Sequence, residues 1–88
     1  MLNVYYAIGS DGSIWVTEKT YFDSNKCVQD NDTDKNYIKI ENAMSDCGYP
    51  RLMESNYENL NGNFNHEQFV AKLALHGIHM IYNKDLED

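Results

Sequence analysis

The chain has 88 residues, 42% of them hydrophobic, and a formal charge of −7 from 14 acids against 7 bases. One domain of that size buries only about 60 to 65% of the surface its unfolded form exposes, but seven Tyr, three Phe and one Trp supply the large faces a core needs. No run of about 18 apolar residues exists to span a membrane, and the acidic surplus repels nucleic acid and anionic lipid alike.

Leu2, Val4, Tyr6 and Ile8 alternate with Asn3, Tyr5 and Ala7, the period of a strand. Gly9-Ser10-Asp11-Gly12 is a turn, and Ile14 and Val16 then alternate with Ser13, Trp15 and Thr17, so the first 18 residues read as a β-hairpin. One face of it carries Val4, Tyr6, Ile8, Ile14 and Val16 and is expected to meet helices; the other carries Tyr5 and Trp15. The N-terminal residues have neither a basic start nor a cleavable apolar segment, which leads us to expect a cytoplasmic protein.

Between Thr20 and Asn31 the signal is weak. A short helix capped by Asp23 or Ser24 and holding Cys27 and Val28 is as defensible as a loop. From Asp34 to Cys47 the helical period holds, with Tyr37, Ile40, Ala43, Met44 and Cys47 on one side, Ile38 outside that stripe, and Gly48 placed to close the helix. The competing reading is a strand at Tyr37 to Ile40 followed by a short helix. Residues 51–63 are polar, and read as a surface connection.

The sharpest local signal is Phe64 to Asn83. Asn65 is placed to cap a helix, Gln68 three residues on completes a capping box, and Phe64 with Phe69 forms a hydrophobic staple. Phe69, Val70, Leu73 and Ala74 share one face, Gly77 ends the helix, and Ile78 to Tyr82 follows as a strand. If Ile78 and Met80 point inward, His79 and Ile81 join Tyr5 and Trp15 on the second sheet face. These four are the candidates for a homodimer interface; partial cover by loops is the alternative. The expected fold is therefore α+β: a small three-stranded antiparallel sheet, the N-terminal hairpin plus the C-terminal strand, covered on one face by about two helices.

Few constellations carry chemistry. Asp30, Asp32, Asp34 and Glu41 stand at positions one, three, five and twelve of a calcium loop of the EF-hand type, but Lys35 occupies the sixth position, where the turn needs Gly. A solvated acidic loop capping the next helix is the plainer reading. His66, His76 and His79 have no metal-ligand spacing with Cys27 or Cys47, and each fits a structural role. The two cysteines lack C-x-x-C spacing and read as free thiols. There is no nucleophile elbow and no Gly-rich phosphate loop. Neither metal nor cofactor is expected, and the chain is not expected to be an enzyme.

Charge is the remaining clue. Residues 30–58 hold seven acids, Asp30, Asp32, Asp34, Glu41, Asp46, Glu54 and Glu58, against three bases. DNA presents one charge per roughly 1.7 Å of axis, and carboxylates one helical turn apart lie roughly 6 Å from each other, so an ordered row of them imitates a phosphate track. In size, acidity and richness in Asn, Asp and Tyr, the whole chain resembles the small acidic early proteins of bacteriophages that mimic DNA, the anti-restriction proteins of T-even phages among them; phage inhibitors of CRISPR effectors share the same character. The resemblance implies a homodimer in the host cell cytoplasm that occupies the DNA-binding surface of a basic host protein, a restriction nuclease or nucleoid protein, with no direct contact to nucleic acid or membrane. It carries no functional residue over; the seven acids are candidates by charge position alone. Two other expectations stand beside it: a calcium-binding regulatory module using Asp30 to Glu41, and a small structural or assembly protein whose acidity only keeps it soluble.

Overall fold

Alternating apolar residues make β1 (Leu2–Ile8) and β2 (Ile14–Glu18) an antiparallel hairpin, with Tyr6 opposite Val16 and Ile8 opposite Ile14. They are followed by α1 (Lys19–Asn25), α2 (Lys35–Asp46), α3 (His66–Ala74), β3 (Ile78–Tyr82) and a 3-10 turn (Lys84–Leu86). The computed structural model describes residues 1–9, 13–25, 35–49 and 64–86. The sheet order is β2-β1-β3, so the α+β architecture stands as expected from the sequence.

One expectation about the sheet is overturned: β3 runs parallel to β1, with Leu2 beside Ile78 and Tyr6 beside Tyr82. The main-chain bonds at both ends of the pair agree with that direction, the Leu2 N–H donating to the Gly77 carbonyl at 3.1 Å and the Asn83 N–H to the Tyr6 carbonyl at 2.8 Å. An alternating strand buries the same side chains whichever way it runs, so the pattern that placed Ile78 and Met80 inward was silent on direction. The sheet is mixed rather than antiparallel.

The core lies on the face predicted for it. Val4, Tyr6, Ile14, Val16, Ile78 and Met80 from the sheet meet Ile40, Ala43 and Met44 of α2 and Phe69 and Leu73 of α3. α2 is helical throughout Tyr37 to Ile40, which excludes the strand alternative there, and its buried residues are Tyr37, Ile40, Ala43 and Met44. Ile38 lies off that stripe and is 40% exposed. The helix closes in a Schellman arrangement: Gly48, at φ 88°, donates to the Ser45 carbonyl, and the Tyr49 N–H reaches back to the Met44 carbonyl at 2.8 Å.

α3 begins as its cap dictates. The Asn65 side chain accepts from the Gln68 N–H at 2.9 Å, and Phe64 stands 5.3 Å from Phe69, ring to ring, as the staple requires. It ends where Gly77 takes φ 78°.

A second correction concerns α1. It starts directly after β2, four residues before Asp23, and it packs on β1 and β2. The Phe22 ring meets Tyr5 edge-on at 5.7 Å, and Tyr5 belongs to the face away from the core. Helices therefore cover both faces, not one. The helix is held by short-range bonds that no apolar period announces: Lys19 pairs with Asp23 at 3.0 Å, and the Ser24 hydroxyl donates to the Thr20 carbonyl at 2.9 Å. Cys27 and Val28, which the sequence left open between a short helix and a loop, lie outside the described residues.

Candidate functional site

Five of the seven candidate acids, Asp30, Asp32, Asp34, Glu54 and Glu58, lie outside the described residues. The other two are on α2, Glu41 half-buried and Asp46 exposed. Five residues of helix turn them about 140° apart, so they do not form a row on one face. The described residues hold six acids and five bases, while the remaining segments hold eight acids and two bases.

The helical start at Lys35 bears on the calcium reading. In an EF-hand loop the seventh residue offers its backbone carbonyl to the ion. Here that residue is Asn36, inside α2, where the carbonyl belongs to the helical ladder and the side chain donates to Glu18 Oε2 at 3.2 Å. Glu41, the twelfth position, also lies within the helix. Among the described residues, no three His, Cys, Asp or Glu side chains come close enough to hold a metal ion.

The four residues proposed for a dimer face are distributed unevenly. Trp15, 39% exposed, sits opposite Ala7 at the hairpin end, and His79 sits opposite Asn3 at the other end of β1, its Nδ1 3.1 Å from Asn3 Oδ1. Between them lies Tyr5, with Ile81 beside it. The Tyr5 hydroxyl donates to Asp23 Oδ1 at 3.1 Å, and the Lys19 ammonium lies 5.9 Å from its ring centre. α1 therefore occupies the middle of this face and separates Trp15 from His79 and Ile81.

A different assembly is one that sequence reasoning missed. Tyr6 is buried, yet its hydroxyl lies 2.6 Å from Nδ1 of His66, an exposed residue in the first turn of α3. Burial, and then the neighbouring Tyr82, raise the Tyr6 pKa, so the phenol is protonated at neutral pH and shares its hydrogen bond with the His66 ring nitrogen. Around this pair the rings form a continuous cluster. His66 meets Phe64 at 5.0 Å and Tyr82 at 5.4 Å, while Phe69 beneath meets Tyr6 at 4.8 Å and Tyr49 at 4.9 Å. Lys72 stands 5.4 Å over Tyr49 and also acts on half-buried Cys47, where burial pushes the free thiol up and the ammonium opposes that shift. One signal pointed here: an inward tyrosine needs a hydrogen-bond partner, and a histidine one turn from a helix start is a natural one.

An open groove of about 400 Å³ is lined by Lys35, Ile38, Lys39, Asn42, Ala43 and Asp46 of α2 and by His76. None of the described helices is long and apolar enough to cross a membrane. No family model matches the chain, and no curated protein or solved structure does either.

Proposed function

We propose that the chain is a non-enzymatic acidic inhibitor that binds the DNA-contacting surface of a basic host protein, a restriction nuclease or nucleoid protein, in the cytoplasm of a bacterial host. The observation that supports this reading is the acidic surplus of the sequence and its concentration at residues 30–58, where seven acids stand against three bases. A solubilising surface needs no such segregation. A ligand for a cationic surface gains from it, because dense negative charge steers association and displaces the counterions that a basic partner would otherwise gather. The seven acids are Asp30, Asp32, Asp34, Glu41, Asp46, Glu54 and Glu58, of which Glu41 and Asp46 are on α2. The resemblance to small acidic phage proteins points the same way.

The test is competition. A labelled DNA duplex bound to a basic nucleoid protein is titrated with this chain, and anisotropy reports displacement. We expect displacement at low salt, weakening by about tenfold or more between about 50 and 200 mM. Replacing Asp30, Asp32 and Asp34 together by Asn weakens it further and flattens the salt slope. Displacement indifferent to salt and to the triple substitution, or no displacement from nucleoid protein and restriction nuclease alike, refutes the reading.

A further inference from the structure

The ring cluster around His66 reaches the surface. Tyr82, the last residue of β3, is 54% exposed, His66 in the first turn of α3 is exposed, and Phe64 just before that helix is half-buried. The three are held in place from beneath. The His66 ring is tied through Nδ1 to the Tyr6 hydroxyl at 2.6 Å and meets Phe64 at 82° and Tyr82 at 87°. Tyr82 also packs edge-on against buried Tyr6 at 5.5 Å. A half-exposed tyrosine fixed on two sides has little rotamer freedom left, so a ligand lying against it costs little further ordering.

Charge decides what such a patch takes. A nucleobase stacks on rings of this kind, but a chain of charge −7 repels the phosphates that would bring one. A cation is drawn in instead, and the protein shows this chemistry on two of its own tyrosines. The Lys19 ammonium lies 5.9 Å from the Tyr5 ring centre and the Lys72 ammonium 5.4 Å from that of Tyr49. Among the described residues no cation stands over Tyr82 in this way. The flanking charges favour one: Glu67 follows His66 and Asp85 lies just beyond Tyr82, both exposed, against the single base Lys84. The positive end of the α3 macrodipole is already answered, because the Asn65 side chain accepts from the Gln68 N–H and Glu67 sits in the first turn. Of the two cationic side chains arginine fits better, since its guanidinium is planar, more weakly hydrated than an ammonium, and stacks on a ring face.

We propose that Tyr82, flanked by His66 and Phe64, is an arginine-binding site, on which a guanidinium of the basic partner stacks as an anchor of the contact. This rests on the inhibitor reading above for the identity of the partner, and adds a specific residue and a preference for arginine over lysine that acidity alone does not give. DNA-contacting surfaces present arginines, whose fork matches phosphate, so the occupant is one that such a partner already carries. Tyrosine and arginine are also the side chains that most often carry the affinity of an interface.

The test uses the whole chain and two capped peptides of equal charge, tetra-arginine and tetra-lysine, titrated at low salt and followed by amide NMR shifts. Tetra-arginine is expected to bind at least about threefold more tightly than tetra-lysine, with the largest shifts at Phe64, His66, Tyr82 and their neighbours. Tyr82→Leu removes that preference and leaves tetra-lysine binding unchanged, whereas Tyr82→Phe, which keeps the ring, keeps the preference. The wild-type preference and its shift map decide the question even where a variant is unstable. Equal binding of the two peptides, shifts that lie elsewhere, a preference that survives Tyr82→Leu, or one that Tyr82→Phe abolishes overturns the proposal. So does the same shift pattern on concentrating the protein alone, which makes a second copy the occupant, or on adding oligothymidine, which makes it a nucleobase. A wild type that fails to displace DNA from a basic protein refutes the inhibitor reading, whatever the peptides do; displacement without a peptide preference refutes the arginine site alone.

Discussion

Phe69 is the residue on which the attachment of α3 to the sheet depends, and Phe69→Leu tests how. The ring is fully buried and contacts three others: Tyr6 at 4.8 Å, Tyr49 at 4.9 Å and 88°, and Phe64 at 5.3 Å. Leucine keeps most of the apolar volume, so the loss is dominated by these contacts, each worth about 0.5 to 1.5 kcal/mol beyond area. Partial relaxation brings the expected total to about 2 kcal/mol. A chain of this length has about 4 to 13 kcal/mol of stability to lose from, so the variant still folds and the difference is measurable. Urea unfolding followed by the fluorescence of Trp15, the only tryptophan, should show a lower midpoint with an unchanged slope. The thermal midpoint should fall by about 8 to 16 °C. A double-mutant cycle with Tyr49→Leu should return a coupling of about 0.5 to 1.5 kcal/mol. A loss below about 0.5 kcal/mol with no coupling refutes the argument, because the cluster would then be packing by volume alone.

Two further perturbations follow from backbone and titration. Gly77→Ala forces a side chain onto φ 78° with nothing within 4 Å of the new carbon, so the cost is purely conformational, about 1 to 2 kcal/mol. Gly77→Asn should lose less by urea unfolding, and equal losses would contradict the left-handed argument. Tyr6 supplies a pH dependence: its folded pKa is raised above 10.0, so the stability it contributes is complete below that value. As the pH climbs from there through the raised folded value, the unfolded chain ionises first and that contribution is lost. Between about pH 9 and 11 the wild type should therefore lose more stability than Tyr6→Phe, and parallel curves would refute the assignment.

What the sequence disclosed was whatever its neighbours within a few residues determine. Asn65 and Gln68 are three apart, Gly48 stands two residues beyond the last residue of its helix, and the inward positions of Val4, Tyr6, Ile14 and Val16 repeat every second residue, so each was legible from local chemistry. The direction of β3 was not, because alternation is unchanged by reversal. Nor was the face that α1 chooses: its anchor is Tyr5 meeting Phe22 and Asp23, contacts across 17 and 18 positions that no period encodes. The Tyr6 hydroxyl and His66 are 60 residues apart and meet only because β1 and α3 pack in the core.

The candidate site divides along the same line. Acidity was visible from composition, but whether carboxylates form a row depends on the elements that carry them, and α2 turns Glu41 and Asp46 away from each other. The same helix shows why sign and position matter more than total charge. Counted as composition, Lys35, Lys39, Glu41 and Asp46 cancel. Placed on the helix, Lys35 and Lys39 gather at the end where cations are disfavoured and Asp46 at the end where anions are.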